Sequence, residues 1–287
     1  MKNKRNIAVV LTGAALATNL YLVVHNVYEM VKARAPFFPA SNIGLTVNML
    51  VTFVGVGAFI QFVVEKFRVS RLLQVYLLFS FFSSGITLPL RLTLYALHLG
   101  VNAPFGYLLI QIILPVLYLY SARVFRKDRT PLYFITGTGE NVVRQFFPVD
   151  KWLRLANRLL DAVLVYIILA IKAGWFIYAV NLLMGGRVFY WAPLELSVLA
   201  FFVLLLYYFV FESLFKTTLG KLVTNTRVVN ETGERPGIGR VLGRTFCRLI
   251  PFEAWSFLFN DRGWHDSFSG TYVIKEKYEW EAHGIIA

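Results

Sequence analysis

The sequence is poor in the residues from which soluble active sites are usually built. It holds one cysteine, Cys247, in 287 residues, which excludes an internal disulfide and any cysteine-cluster metal centre. Its four histidines, His25, His98, His265 and His283, are scattered without ligand spacing. Acidic residues are also scarce, 16 against 29 Lys and Arg, giving a net charge of +13. In a soluble chain that surplus would suggest nucleic acid, because basic groups neutralise phosphates. Here the basic residues alternate between crowded and sparse loops, as membrane topology requires, so no nucleic-acid partner is expected. What the chain has in abundance is apolar residues: 57% are hydrophobic, and the mean hydropathy is +0.59. This is the composition of a polytopic membrane protein whose first partner is lipid.

The sequence predicts an all-α polytopic integral membrane protein with about six transmembrane helices. A basic start followed by a run to Val24 reads as an uncleaved anchor, since 18 to 20 apolar residues can span a bilayer. Ile43 to Val64, Leu72 to Leu97 and Phe105 to Tyr120 are the next spans, with kinks expected at Pro89 and Pro115. The fifth begins near Trp152 and ends near Val180, and the sixth runs from Pro193 to Leu214. Trp175, Trp191, Tyr207 and Tyr208 are candidate interfacial anchors. Residues 1–121 form an N-terminal four-span region, 122–150 a polar cytoplasmic linker, 151–276 a second membrane domain and 277–287 a tail. In the linker, Thr136 to Glu140 (TGTGE) fits neither phosphate-binding fingerprint and reads as a turn.

Beyond the sixth span the composition is more polar. Ile238 to Phe259 has a helical pattern, but Arg240, Arg244, Arg248, Pro251 and Glu253 make it a poor span. A central Arg costs about 2.5 to 3.5 kcal/mol on insertion, so this segment is expected to be an interfacial or re-entrant helix. Residues 222–229 and 270–276 alternate β-branched with polar residues and are expected to pair as a small two-stranded cytoplasmic sheet. Topology follows from charge. The start and the loops after spans two, four and six hold 3, 3, 8 and 10 Lys or Arg, while the opposite side holds only Lys32, Arg34, Arg91 and Arg187. Both termini are therefore expected in the cytoplasm.

The candidate site lies where a basic amphipathic approach runs into the fifth span. Spacings of three and four stack Arg154, Arg158, Asp161 and Lys172 on one stripe of a helix that is otherwise apolar. Ionisable groups in lipid are costly and need partners. Arg154 and Asp161 are about 10 Å apart along the helix axis and cannot meet without long side-chain reach. In one reading Arg158 neutralises Asp161 while Arg154 binds lipid phosphate. In the other, Asp161 and Asp266 converge on Arg154, with Glu212 as a fourth member, and two carboxylates on one guanidinium attract a monovalent cation or a proton. Lys172 either snorkels to the outer surface or acts as a counter-ion within the bundle. The pair His265-Asp266 lacks the further ligands of a metal site, and no nucleophile has a matching base. No cofactor, metal or enzymatic activity is expected.

The second half also resembles a known family. Arg154 seven positions before Asp161, the T-L-G-K of Thr218 to Lys221, Arg248, and His265-Asp266 with a following G-T-x-V to Val273 are similar to the RDD family of bacterial membrane proteins. The resemblance spans about residues 152–274 and implies a bacterial cytoplasmic-membrane location. It also implies ion or small-solute transport as one function. The other function left open is a non-transporting scaffold or assembly factor, with a homo-oligomer or another membrane protein as partner.

Overall fold

The computed structural model describes residues 2–32, 43–66, 68–97, 105–126, 129–131, 133–136, 143–146, 149–185, 193–250, 253, 256 and 263–278. All six expected apolar segments are helical. They form α1 (Lys2–Lys32), α2 (Ile43–Val64), α3 (Arg71–Gly85) with α4 (Leu88–Ala96), α5 (Phe105–Arg126), α6 (Lys151–Leu183) and α7 (Pro193–Phe215). Four stretches among the described residues are long and apolar enough to cross a membrane: Asn3–Glu29, Arg71–Ala96, Leu108–Arg126 and Ser197–Phe215. The apolar windows of α1 and α7 are only 28% buried, with Val10, Val24, Phe202 and Leu206 facing outward. Such surfaces are stable in lipid and a liability in water. The protein is a membrane protein.

Backbone contacts divide the chain into two compact units. One comprises Met1–Phe125 with Tyr166–Leu196, the other Arg126–Val165 with Ser197–Ala287, so α6 contributes to both. In the first unit, the ring of Tyr76 on α3 occupies the space where a Cβ at Gly55 of α2 would sit, 2.3 Å from the nearest ring atom. Tyr76 also packs edge-on against Tyr118 of α5, with centroids 6.0 Å apart, and the Asn19 amide donates to both hydroxyls at 3.3 and 2.8 Å. The break between α3 and α4 falls at Ile86 and Thr87, two residues before the expected Pro89, because proline fits the first turn of a helix but not its interior. Pro115, by contrast, lies inside a continuous α5.

In the second unit, α8 (Leu219–Val223) is followed by β4 (Thr226–Asn230), α9 (Ile238–Cys247), α10 (Trp264–Ser269) and β5 (Thr271–Tyr278). The expected pairing occurs: β4 and β5 are antiparallel, with Val228 opposite Val273. The sheet is larger than expected, because β1 (Arg129–Pro131) adds to the other edge of β5. The 122–150 segment also supplies a separate hairpin, β2 (Tyr133–Thr136) with β3 (Val143–Phe146). The residues between these two strands, including most of TGTGE, lie outside the described residues. Residues 222 and 223, expected as strand, belong to α8, which Thr218 caps by accepting from the Lys221 N–H at 3.3 Å.

Helix α9 is amphipathic in an inverted sense. Arg244 and Arg248 are buried, whereas Ile238, Leu242 and Phe246 are exposed at successive turns. Its ten residues rise about 15 Å, half the roughly 30 Å hydrocarbon core. Between Ile250 and Gly263 only Glu253 and Ser256 are described, so most of the far half of the expected Ile238–Phe259 helix lies outside the described residues.

Candidate functional site: a buried ion-pair network

Asp161 lies on the buried stripe of α6 with Asn157, Val165 and Ile168. Its carboxylate accepts from the Tyr207 hydroxyl at 2.6 Å, the Thr218 hydroxyl at 2.6 Å and the Gly220 N–H at 2.7 Å. Tyr207 in turn accepts from the Leu219 N–H at 2.8 Å. The T-L-G segment thus wraps the carboxylate, and only glycine allows the approach: a Cβ at Gly220 would lie 2.3 Å from the Asn157 carbonyl oxygen. Arg158 does not neutralise Asp161 as sequence spacing suggested. It reaches Glu253 at 2.9 Å instead. Tyr207 and Tyr208 are not surface anchors either, since both are buried, Tyr208 beneath the Arg248 guanidinium at 3.9 Å.

Asp266 and Arg154 do meet. Arg154 Nη1 lies 3.2 Å from Asp266 Oδ2, and its Nε donates to the Val149 carbonyl at 3.1 Å. The other oxygen of Asp266 pairs with Arg244, which also donates to Thr271 Oγ1 at 2.6 Å. Arg244 then bridges to Glu212, the expected fourth member, at 2.9 Å. Glu212 is fully buried and ties together three cations, with Lys221 at 2.5 Å and Arg248 at 2.9 Å completing the set. Arg154, Asp266, Arg244, Glu212 and Lys221 therefore form one chain of alternating charge. Asp161 lines the same cavity, of about 40 Å³, as Arg154 and Asp266, but its hydrogen bonds go elsewhere. Lys221 supplies the opposite charge acting on it.

The charge balance differs from the expected two acids on one guanidinium. Arg154, Arg158, Lys221, Arg244 and Arg248 face Asp161, Glu212, Glu253 and Asp266, so the cluster has no surplus of negative charge. Burial lowers Lys221 from 10.5 to about 8, with Glu212 opposing and Arg244 adding to the fall. Burial, followed by the Arg244 charge, depresses His265 to about 3, so it stays neutral while bonded to Glu253. Burial opposes ionisation of Glu253, but the bond to His265 and the Arg158 charge outweigh it and hold this carboxyl low. Lys172 is in the other unit and lines a different cavity. Among the described residues no cluster of three His, Cys, Asp or Glu could hold a metal.

Arg154, Asp161, the T-L-G-K cradle and Asp266 all fall within one matched stretch. Residues 148–273 match the RDD family model. The resemblance read from the sequence thus covers nearly the same residues. No curated protein and no solved structure matches the chain. Within the RDD region, sequence reasoning missed the roles of Arg244, Tyr207 and Glu253. Arg244 and Glu253 were visible as charges in an otherwise apolar segment, a pattern that demands buried partners.

Proposed function

We propose that the protein is a six-span carrier of an ion or small solute in a bacterial cytoplasmic membrane, with both termini cytoplasmic and the buried network as its ion-responsive part. The observation that carries this reading is Glu212 bound to three cations near the C-terminal end of α7. A chain of alternating charges couples its members, because loss of one proton or partner redistributes the others. Lys221, held near 8, is the member that exchanges a proton at physiological pH, with its lost charge replaced at Glu212 by Arg244 and Arg248. With five bases to four acids, the cluster has no surplus negative charge to hold a bare monovalent cation, so the ion it handles is the proton that Lys221 releases and takes up. The outward apolar face of α9 suits a helix lying in the membrane interface.

The test is proton and ion flux in reconstituted vesicles under an imposed gradient. Wild type should show flux whose pH dependence centres near 8, and Lys221→Met should abolish that dependence. A second reading, a scaffold or assembly factor acting on another membrane protein or its own copies, is favoured by the saturated hydrogen bonding of Asp161. Absence of flux under every gradient, with Asp161→Asn only lowering thermal stability, would select it.

A further inference from the structure

Arg248 is only 8% exposed, and its guanidinium is fixed in two ways. Nη2 donates to Glu212 Oε1 at 2.9 Å, and Cζ lies 3.9 Å from the centroid of the Tyr208 ring. The remaining terminal nitrogen, Nη1, is buried and has no hydrogen-bond partner among the described residues. A buried charged donor without an acceptor is costly, so this atom calls for one.

The acids of the cluster do not supply it, because each is committed elsewhere. Glu212 Oε1 also accepts from Lys221 Nζ at 2.5 Å, and Oε2 accepts from Arg244 Nε at 2.9 Å. Asp161 spends its oxygens on Tyr207, Thr218 and Gly220. Asp266 holds Arg154 and Arg244, while Glu253 holds Arg158 and His265. Setting aside Glu253 with its partly exposed partner Arg158, four bases (Arg154, Lys221, Arg244 and Arg248) face three acids (Asp161, Glu212 and Asp266) among the described residues. One positive charge is left without a counter-charge, which burial makes unfavourable.

Arg248 and Lys221 both line the cavity of about 40 Å³ in the second unit. One water needs about 10–15 Å³ of such space, and pockets for organic ligands run to roughly 300–1,000 Å³, so the occupant is of atomic or near-atomic size. A water would give Nη1 an acceptor but leave the surplus charge. A small anion supplies the acceptor and the charge together. The Lys221 ammonium has further N–H groups to offer, and it lies beside the Arg248 guanidinium because both donate to the same oxygen, Glu212 Oε1.

We infer that this cavity binds one small monovalent anion of halide size, held by Arg248 Nη1 with Lys221 beside it. The inference rests on the carrier reading in taking this cluster as the ion-responsive part, and it adds a second ion to the proton. It concerns equilibrium binding, so chloride binding without proton flux would sink the carrier reading alone, and proton flux without chloride binding would sink this inference alone.

The test uses the full-length protein, purified in detergent with gluconate, which is too large for the cavity, as the only anion. Chloride is titrated in, and binding is followed by broadening of the 35Cl resonance and by the melting temperature. Saturable broadening that bromide reverses is expected, with a melting temperature that rises with chloride concentration. Arg248→Gln keeps an amide donor for Glu212 while removing the surplus charge, and should weaken chloride binding about tenfold or more. Asn157 lines the same cavity, so Asn157→Asp supplies a carboxylate in place of the anion; it should also weaken binding, and serves if Arg248→Gln does not fold. Arg240→Gln removes an exposed charge outside the cavity lining and should leave binding unchanged. No saturable chloride binding by wild type, undiminished binding by folded Arg248→Gln or Asn157→Asp, or an equal loss in Arg240→Gln would overturn the inference.

Discussion

Gly220 donates its backbone N–H to Asp161 at 2.7 Å from a position where any side chain would strike the Asn157 carbonyl oxygen. The contact holds α8 against α6, and with it the lysine that follows. Gly220→Ala should therefore cost stability through overpacking, by about 1–3 kcal/mol. Thermal unfolding in detergent measures this, and a melting temperature equal to wild type would show that the cradle is looser than described.

Glu212 is the node of the network. Glu212→Gln leaves Lys221, Arg244 and Arg248 facing one another without their shared carboxylate, which should cost about 3–5 kcal/mol. Lys221→Met removes only one of the three cations and should cost less. The ratio of folded to aggregated material after purification, with melting temperatures of the soluble fractions, gives the ranking.

Acid should destabilise the fold through His265 and Glu253. Both have folded pKa values below their ordinary ones, so each binds more protons when unfolded as the pH falls. Stability from His265 is present above about 6.5 and is lost as pH falls towards about 3, and that from Glu253 is lost below about 4.5. His265→Asn should flatten the upper part of the profile. Denaturant midpoints between pH 3 and 7 test the slope, and a rise in stability on acidification would contradict it.

Lys221 has the opposite consequence at high pH. Its lowered pKa means that the folded state releases a proton before the unfolded state does, so stability should rise between about pH 8 and 10.5. Lys221→Met should lose this rise. Melting temperatures of the two proteins from pH 7 to 10 make the comparison.

Arg126 holds β5 through Glu276, with Nη2 at 2.8 Å from Oε2, and Arg227 lies 3.8 Å from the same carboxylate. Arg126→Ala should leave that buried acid with a poorer partner and loosen the sheet edge. Hydrogen exchange of β5 amides should accelerate in the variant.

Topology has a direct check. Asn102→Cys and Gly186→Cys should react with an impermeant thiol reagent applied outside, and His283→Cys should not. Reaction at 283 from outside would reverse the orientation read from basic residues.

The sequence by itself determined the apolar helices, the stripe of α6 and the strand character of β4 and β5, because each depends on local periodicity. It also placed Arg154, Asp161, Glu212 and Asp266 among the candidate residues, since charge in or beside an apolar run needs an explanation. One of the two readings that local spacing allowed paired Arg158 with Asp161, because a neighbour at i+3 is within reach; nothing local reveals that Glu253 competes for it. The same limit hid β1, which is too short to show alternation and becomes a strand only because β5 offers an unpaired edge. Periodicity states which residues share a face, but not what that face meets. On α9 the sequence showed arginines within a helical pattern that made a poor span; the tertiary structure turned Arg244 and Arg248 inward, where Glu212 and Asp266 pair with them, and left Ile238 and Phe246 outward.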